Sequence, residues 1–236
     1  KAFVLFICIV GICFLVTRMV RVEDKTTVKV HNMHTEQNEK AIRYVASNMI
    51  KEDPKIAITF DDGPSPAWTP QLLDGLKERN VKATFFLIGE NAKNNPELVK
   101  REAEEGHLIG NHTYHHVEIT RVPDETAQEE ILMTNEVITG ITGEEVSYMR
   151  PPFGVWQKNL ERKLDVMPVL WTIDPLDWTT DNEDEIINKV VTQAGENDII
   201  LLHDIYKTSV QAAFIVIDEL QRQGYEFVTV EELLFA

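Results

Sequence analysis

The sequence holds two neighbouring carboxylates at the end of an apolar run. Asp61 and Asp62 follow the run IAITF and precede Gly63-Pro64, a pair that favours a turn. Side chains alternate along an extended chain, so the two carboxylates are expected to point in different directions and to take different roles. An acidic turn or a helix cap is the ordinary explanation of such a pair. Other polar segments therefore decide whether it belongs to a site.

Residues 112–116 form a histidine-rich segment, HTYHH. On a helix, His112 and His116 would lie one turn apart on the same face, so that both imidazoles could hold one metal ion. His115 is a further candidate ligand if the segment is not helical. Because a single pair of histidines is more often exposed or capping than ligating, this segment predicts a metal site only together with a carboxylate.

Three further segments place polar residues after apolar runs: RPPFG (150–154), DPLDW (174–178) and LLHD (201–204). Arg150 offers a cation that can hold a carboxylate through two parallel hydrogen bonds, and the prolines after it make a rigid turn. The other two segments add carboxylates, an indole and a histidine. Taken singly, a strand-ending turn or a core histidine bonded to a carbonyl explains each segment equally well.

The elements that would position these residues alternate between short apolar runs and helical patterns. Repeated strand-helix units with nearly all-apolar strands predict an α/β fold whose parallel sheet is covered on both faces, either as an open doubly wound sheet or as a barrel. The predicted strands lie near 56–60, 83–89, 107–113, 146–152, 169–174, 198–204 and 226–230. The predicted helices lie near 69–79, 96–106, 124–138, 158–163, 183–195 and 210–224, with a short one at the end of the chain.

The polar residues of every segment lie at the end of a predicted strand or directly after it. In parallel α/β folds, the loops at the carboxyl ends of the strands form the functional site. Segments that are distant in sequence are therefore expected to meet in one cleft. A collection of unrelated turns and core histidines does not account for this common position.

With the five motifs TFDDGP, HTYHH, RPPFG, DPLDW and LLHD, the sequence resembles the polysaccharide deacetylase family with the NodB homology domain, carbohydrate esterase family 4. The resemblance covers Lys55 to Leu234. TFDDGP followed by HTxxH is nearly diagnostic of this family, and the five motifs in order are far stronger than any of them alone. The resemblance implies a distorted (β/α) barrel, usually of seven strands, rather than an open sheet.

The resemblance also implies a metal centre. Asp62, His112 and His116 correspond to the family's metal ligands, and the expected cofactor is one divalent cation. Zn²⁺ is the usual ion, with Co²⁺, Ni²⁺ or Mn²⁺ as alternatives. A set of two imidazoles and one carboxylate leaves positions open for water and for a substrate oxygen.

Two acid–base groups are implied in the same way. Asp61 resembles the catalytic base, held by Arg150, and His203 resembles the general acid, oriented by Asp177. An amide has a poor leaving group, so its hydrolysis needs a base to activate water and an acid to protonate the departing amine. Because no Ser or Cys lies within the motifs, a covalent route is disfavoured.

The substrate contacts implied by the resemblance are the backbone N–H of Phe153, at the oxyanion, and the side chains of Trp178 and Leu201, at the acetyl methyl group. Phe153 departs from the tyrosine common at its position, which matters little if only the main chain acts. The expected substrate is a cell-wall polysaccharide, with peptidoglycan N-acetylglucosamine favoured. N-acetylmuramic acid, a chitin-like polymer, another exopolysaccharide and acetyl-xylan are the alternatives.

Two other kinds of protein share part of this pattern. A non-haem iron oxygenase also uses two histidines and a carboxylate, but its chemistry has no need of Asp61, Arg150 or His203. A wall-binding module that has lost its activity would lack a base, a ligand or an acid, and this sequence has all of them. Metal-dependent hydrolysis of N-acetyl groups is therefore the predicted reaction.

The N-terminal segment differs in composition from the rest of the chain. Ala2 to Val16 is an uninterrupted apolar run, and at about 1.5 Å per residue it spans somewhat less than a bilayer core of roughly 30 Å. Extended to residue 22, it predicts a transmembrane anchor over residues 1–22, with a cleaved secretory signal as the alternative. Residues 23–53 are expected to form a stalk, and residues 54–236 an extracellular catalytic domain, secreted if the N-terminal segment is cleaved.

Charge and cysteine content limit the kinds of partner that the protein is expected to bind. The 236 residues have a formal net charge of −16, and residues 1–22 contain three cations and no acid, so the acidic charge lies beyond the predicted anchor. Such a surface repels phosphate backbones, which argues against a nucleic-acid partner. Both cysteines, Cys8 and Cys13, lie in the apolar run and leave none for a disulfide in the domain. The expected partners are a polysaccharide and, through the anchor, a membrane, and no protein partner is inferred.

Overall fold

A computed structural model describes residue 40 and residues 53–235, apart from 159 and 161–163. The expected anchor (1–22), nearly all of the expected stalk (23–53) and most of the helix expected at 158–163 lie outside the described residues. Within the described part of the chain, no helix combines the length and the apolarity that a membrane crossing requires.

The core of the domain is a sheet of parallel strands. Six strands follow the order β5-β4-β3-β2-β1-β6, and a further strand, β7, pairs with the first residues of β1. Every pairing is parallel, as the alternation of strands and helices predicts. The strands are β1 Lys55–Asp61, β2 Thr84–Leu87, β3 Leu108–Asn111, β4 Tyr148–Met149, β5 Met167–Pro168, β6 Ile199–His203 and β7 Glu226–Phe227.

The sheet is curled, so that residues 169–173 contact strands toward both of its edges. Beside β4, the N–H of Val169 donates a 2.8 Å hydrogen bond to the carbonyl of Met149. A few residues later, Ile173 bridges to Ile200 of β6 in parallel fashion. A segment that leaves one strand for another cannot pair regularly with either, so the strand predicted at 169–174 is wrong in its bounds. The fold is a curled parallel-sheet half-barrel of the α/β class.

The helices begin and end where local sequence signals place them. Pro96 opens one helix, Asn182 caps another by accepting from the N–H of Asp184, and Gly143 ends a third with a φ of 78° that favours glycine. The helices are α1 Thr69–Glu78, α2 Gly89–Asn94, α3 Pro96–Glu104, α4 Asp124–Thr142, α5 Glu183–Gln193, α6 Lys207–Arg222 and α7 Val230–Leu234.

The alternation of β1 separates the apolar core from the site. Ile58 and Phe60 are fully buried in the main apolar cluster, which also contains residues of α1 and α6. Thr59 and Asp61, on the opposite face of the strand, are buried polar residues. One strand thus supplies core side chains on one face and site side chains on the other.

Candidate active site

A cleft of about 420 Å³ lies at the carboxyl ends of the strands, where the sequence predicts the site. Most of the residues predicted from the motifs line it. Arg150 and Asp177 do not, because they lie buried behind Asp61 and His203. Leu201, in β6, is buried at the wall of the cleft. The lining residues are Asp61, Asp62, His112, His116, Phe153, Trp171, Asp174, Trp178, Leu201, His203 and Tyr206.

Three of the lining residues form a cluster with the geometry of a metal centre. Oδ1 of Asp62 lies 3.4 Å from Nε2 of His112 and 3.4 Å from Nε2 of His116. The ligand atoms of the three residues all lie within 4.8 Å of one another. Asp62 reaches this position because β1 ends at Asp61 and the next residue has a φ of 73°. Both carboxylates consequently line one cleft, although strand alternation alone predicts that they point in different directions.

The hydrogen bonds around the cluster fit a bound cation. Nδ1 of His112 lies 2.6 Å from the carbonyl oxygen of Arg150, and since a carbonyl can only accept, Nδ1 carries the proton. Nε2 is the ring nitrogen that faces Asp62, the arrangement found in histidines that ligate metals. Oδ1 of Asp62 is buried and has no hydrogen-bond partner among the residues that the structure describes. Two imidazole nitrogens and one carboxylate oxygen suit zinc and its divalent neighbours.

The pKa values of two residues in the cluster shift in the direction that suits metal ligands. Burial alone raises the pKa of Asp62, but the adjacent imidazole of His112 and the charges of His203 and His116 outweigh burial, and the pKa is lowered. Burial, followed by the charge of His112, lowers the pKa of His116. An ionised carboxylate and a neutral imidazole are the protonation states in which these groups bind metals.

The histidine segment is not a helix, so the helical spacing expected for His112 and His116 is wrong, although the two rings do lie together. His112 and His116 approach each other, with ring centroids 5.0 Å apart, across an irregular loop. His115, the alternative ligand in a non-helical segment, lies outside the cluster. Its Nδ1 is 2.7 Å from Oε1 of Glu130, on α4.

Asp61 is held from behind by a fully buried arginine. Nη1 of Arg150 donates to Oδ1 of Asp61 at 2.8 Å and to the hydroxyl oxygen of Thr59 at 2.6 Å. The expected two-bond pairing with the carboxylate is not observed, because Nε and Nη2 donate instead to the carbonyls of Val169 and Leu170. Oδ2 of Asp61 faces the cluster of Asp62, His112 and His116 and lies 3.8 Å from Nε2 of His112. Asp61 therefore has one fixed oxygen and one oxygen available to accept a proton.

Asp177 fixes His203 through two contacts. Its Oδ2 accepts from the backbone N–H of His203 at 2.9 Å, and its Oδ1 lies 2.8 Å from Nδ1 of the ring. Burial alone lowers the pKa of His203, but the hydrogen bond and charge of Asp177, with the charges of Asp61 and Asp62, raise it to about 9. His203 therefore holds a proton at neutral pH, and Nε2 is the ring nitrogen left to exchange it.

Exposed aromatic residues form the walls of the cleft. Phe153 is 62% exposed and Trp178 is 56% exposed, although both side chains are large and apolar. The Phe153 ring packs edge-on against His116 at 5.0 Å, in a turn where Phe153 has a φ of 62°. Apolar groups that stay exposed in a cleft mark a ligand-binding surface.

Two lining residues were not singled out by sequence. Tyr206 packs its ring edge-on toward His203 at 6.2 Å, and Trp171 lies within 5.6 Å of the Arg150 guanidinium. Tyr206 comes soon after LLHD in the sequence, which is the one local signal that could have identified it. Glu130 has no such signal, because it lies on a helix outside every motif.

Comparisons with known proteins give consistent results. The sequence profile of the family described as "Polysaccharide deacetylase" matches residues 48–169. The chain is 39% identical, over 216 residues, to the peptidoglycan-N-acetylglucosamine deacetylase PgdA of Listeria monocytogenes, covering 89% of this chain and 46% of that protein. It is 42% identical, over 178 residues, to the peptidoglycan-N-acetylmuramic acid deacetylase PdaC of Bacillus subtilis, covering 75% and 38%. The chain thus spans less than half the length of these two relatives.

The fold is also similar to solved structures. The structure of the peptidoglycan deacetylase PdaC from Bacillus subtilis superposes with a TM-score of 0.76 and 40% identity. The match covers 78% of this chain and 91% of that one. Sequence and fold therefore point to the same group of proteins.

Proposed function

Because the chain belongs to the polysaccharide deacetylase family, we propose that it hydrolyses N-acetyl groups of peptidoglycan N-acetylglucosamine, releasing acetate and leaving a free amine. One observation carries the proposal. One cleft contains the cluster of Asp62, His112 and His116. It also contains a candidate base, the buried Asp61, and a candidate acid, His203. Neither an oxygenase nor a wall-binding module requires this combination.

Asp62, His112 and His116 would hold one divalent cation, which we take to be Zn²⁺. When bound, such an ion polarises the acetyl carbonyl and makes water easier to deprotonate. The protein contributes the fixed positions of its ligands. His112 is oriented by the carbonyl of Arg150, and Asp62 by its left-handed backbone and by Nδ2 of Asn91, which donates to its carbonyl at 2.8 Å.

Asp61 would act as the general base. Its Oδ1 is occupied by Arg150, so Oδ2 takes the proton from the attacking water. The buried arginine holds the carboxylate in one orientation. This arrangement supplies a base whose position does not depend on the substrate.

His203 would act as the general acid. Because Asp177 binds Nδ1, the proton that reaches the departing amine comes from Nε2. The raised pKa keeps that proton in place until the amine, which is more basic than the amide, becomes available. We assign the backbone N–H of Phe153 to the oxyanion, and Trp178 and Leu201 to the acetyl methyl group.

The choice of sugar rests on the relatives. The peptidoglycan-N-acetylglucosamine deacetylase PgdA aligns with 89% of this chain, and the peptidoglycan-N-acetylmuramic acid deacetylase PdaC aligns with 75%. N-acetylglucosamine is therefore the proposed sugar, and N-acetylmuramic acid is the alternative that the test below distinguishes.

We further propose that residues 1–22 anchor the chain in the cell membrane and that residues 23–53 carry the catalytic domain outside it. The support is the apolar run from Ala2 to Val16. A membrane tether would keep the enzyme close to newly made wall polymer.

The test is to incubate the purified chain with peptidoglycan and to identify the de-N-acetylated sugar by mass spectrometry, with a chelator and His112→Ala as controls. We expect acetate to be released and glucosamine residues with a free amine to remain in the polymer, and both changes to be abolished in the controls. Chitooligosaccharide and acetyl-xylan form parallel arms. Deacetylated muramic acid as the main product, or turnover confined to one of the parallel arms, would reject the proposed substrate.

A further inference from the structure

The loop that carries two of the proposed metal ligands has an unusual backbone. Thr113 and His116 have positive φ values, of 61° and 56°, although neither is a glycine. L-residues adopt this conformation when surrounding contacts enforce it. Because the distortion lies between His112 and His116, the contacts that enforce it also set the separation of the two imidazoles.

Glu130, on α4, makes three of these contacts. Its Oε2 accepts hydrogen bonds from the backbone N–H groups of Tyr114 and His115, at 3.0 and 2.8 Å. Its Oε1 lies 2.7 Å from Nδ1 of His115. The residue is 8% exposed, so water competes little for these bonds. Bonds to an ionised carboxylate are about twice as strong as those between neutral groups.

The opposite side of the loop is held by the start of α2. The N–H groups of Gly89 and Glu90 donate to the carbonyls of Thr113 and Tyr114, at 2.9 and 3.1 Å. The loop is therefore fixed between two helices. The start of α2 supplies donors, and Glu130 supplies the matching acceptors.

We propose that Glu130 is a positioning residue for the metal centre, which holds His112 and His116 at the separation that lets both bind one cation. It acts by fixing the backbone of Tyr114 and His115, and it touches neither the cation nor the substrate. His115 is the partner of Glu130 and not a third imidazole ligand. This inference rests on the metal site of the proposed function.

The test measures the Zn²⁺ affinity of the full chain without substrate, by competition with a chromogenic chelator. Glu130→Ala removes all three acceptors and is expected to weaken Zn²⁺ binding by about 10- to 100-fold, as for other residues that orient metal ligands. Glu130→Gln keeps one acceptor oxygen but loses the charge, so an intermediate loss is expected. His115→Ala leaves both backbone bonds and should bind Zn²⁺ nearly as well as the unaltered chain.

Glu102→Gln is the matched control. Glu102 is also a buried helical glutamate, but its carboxylate has no hydrogen-bond partner among the described residues. Its replacement should leave the Zn²⁺ dissociation constant unchanged. Melting temperatures of the metal-free variants, recorded alongside, separate a loss of stability from a loss of metal-site geometry.

Two results would overturn the proposal. One is an unchanged Zn²⁺ dissociation constant in Glu130→Ala and Glu130→Gln, even with lower melting temperatures, because Glu130 would then serve only the fold. The other is a loss of Zn²⁺ in His115→Ala as complete as in His116→Ala. Should the alanine variant fail to fold, the isosteric glutamine variant decides. Weakened Zn²⁺ binding without turnover of any glycan by the unaltered chain would support the positioning role and reject the proposed function.

Discussion

Nη1 of Arg150 lies 2.8 Å from Oδ1 of Asp61 and 2.6 Å from the hydroxyl oxygen of Thr59. Thr59 and Asp61 are two residues apart on β1 and so face the same side of the sheet. The arginine side chain is fully buried, with its guanidinium 4.3 Å from the centre of the Phe86 ring. Asp61, the proposed base, and Arg150 therefore belong to the interior of the half-barrel as much as to the cleft.

Replacing this arginine should destabilise the fold. Arg150→Met leaves the buried Asp61 carboxylate without its cation, and the expected loss in the free energy of unfolding is about 3–5 kcal/mol. Adding Asp61→Asn removes the unpaired charge and should recover part of the loss. Denaturant unfolding of the two single variants and the double variant measures the coupling. Additive losses would mean that the pair contributes no interaction energy.

The two neighbouring aspartates should respond differently to the same change. Asp61→Asn should retain Zn²⁺, because Asp62 still ligates, while turnover falls about 100-fold or more with the loss of a positioned base. Asp62→Asn should weaken Zn²⁺ binding, since a neutral amide is a poorer ligand than a carboxylate. Elemental analysis and rates at saturating Zn²⁺ test both. The reverse pattern would exchange the roles assigned to the pair.

The alkaline limb of the pH–rate profile should report the coupled acid. His203 has a pKa raised to about 9, so its acid form, and the rate, should disappear as pH rises toward that value. A bound cation repels the imidazolium and moves the limb to lower pH. Asp177→Asn removes the carboxylate that raises the pKa of His203, so the alkaline limb should move to still lower pH. The measurement is kcat/KM as a function of pH. An alkaline limb that does not move would assign it to another group.

The same pair should make stability depend on pH. A raised folded-state pKa means that the Asp177–His203 interaction contributes fully below the unfolded histidine pKa of about 6.5 and is lost as pH rises through about 9. The difference in unfolding free energy between the unaltered chain and Asp177→Asn should therefore shrink as pH rises. Denaturant unfolding at pH 6 and at pH 9, in metal-free buffer, tests this directly; a constant difference would contradict it.

The turn after Asp62 should not tolerate a side chain. A Cβ on Gly63 would overlap the buried carboxylate of Asp204, which also accepts a hydrogen bond from Thr69. Gly63→Ala should therefore displace Asp62 and weaken both Zn²⁺ binding and turnover. Gly140→Ala is the matched control, because no described residue lies near the new methyl group in α4, and it should stabilise the fold by about 0.5–1 kcal/mol. Equal Zn²⁺ affinity in the two variants would show that the turn can adjust.

Residues before the domain should be dispensable for catalysis. Residues 53–236 form a compact unit of their own, and every motif lies beyond Lys55. A truncated form that begins near Val30 should be soluble and as active as the full chain on soluble chitooligosaccharide. Full-length and truncated forms are compared by rate and by recovery in the membrane fraction. A folded but inactive truncated form would assign the N-terminal residues a part in the site.

The sequence by itself determined the residue types of the site and the class of the fold. Polar motifs follow successive apolar runs, and parallel strands bring their carboxyl ends to one edge, so the meeting of Asp61, His112 and His203 follows from local pattern and chain direction. The apolar or polar face of each residue in β1 follows from a period of two. The position of the motifs at strand ends and the alternation along β1 both depend only on residues that are close in sequence.

Tertiary structure decided how those residues are oriented. His112 and His116 meet across a left-handed loop and not along a helix, because Glu130 and the start of α2 bond to its backbone. Arg150 donates to Asp61 from one nitrogen only, because its other two nitrogens donate to the carbonyls of residues 169 and 170. These partners are distant in sequence, and a buried donor or acceptor is satisfied by whichever group the fold brings beside it. Local periodicity holds no information about that group.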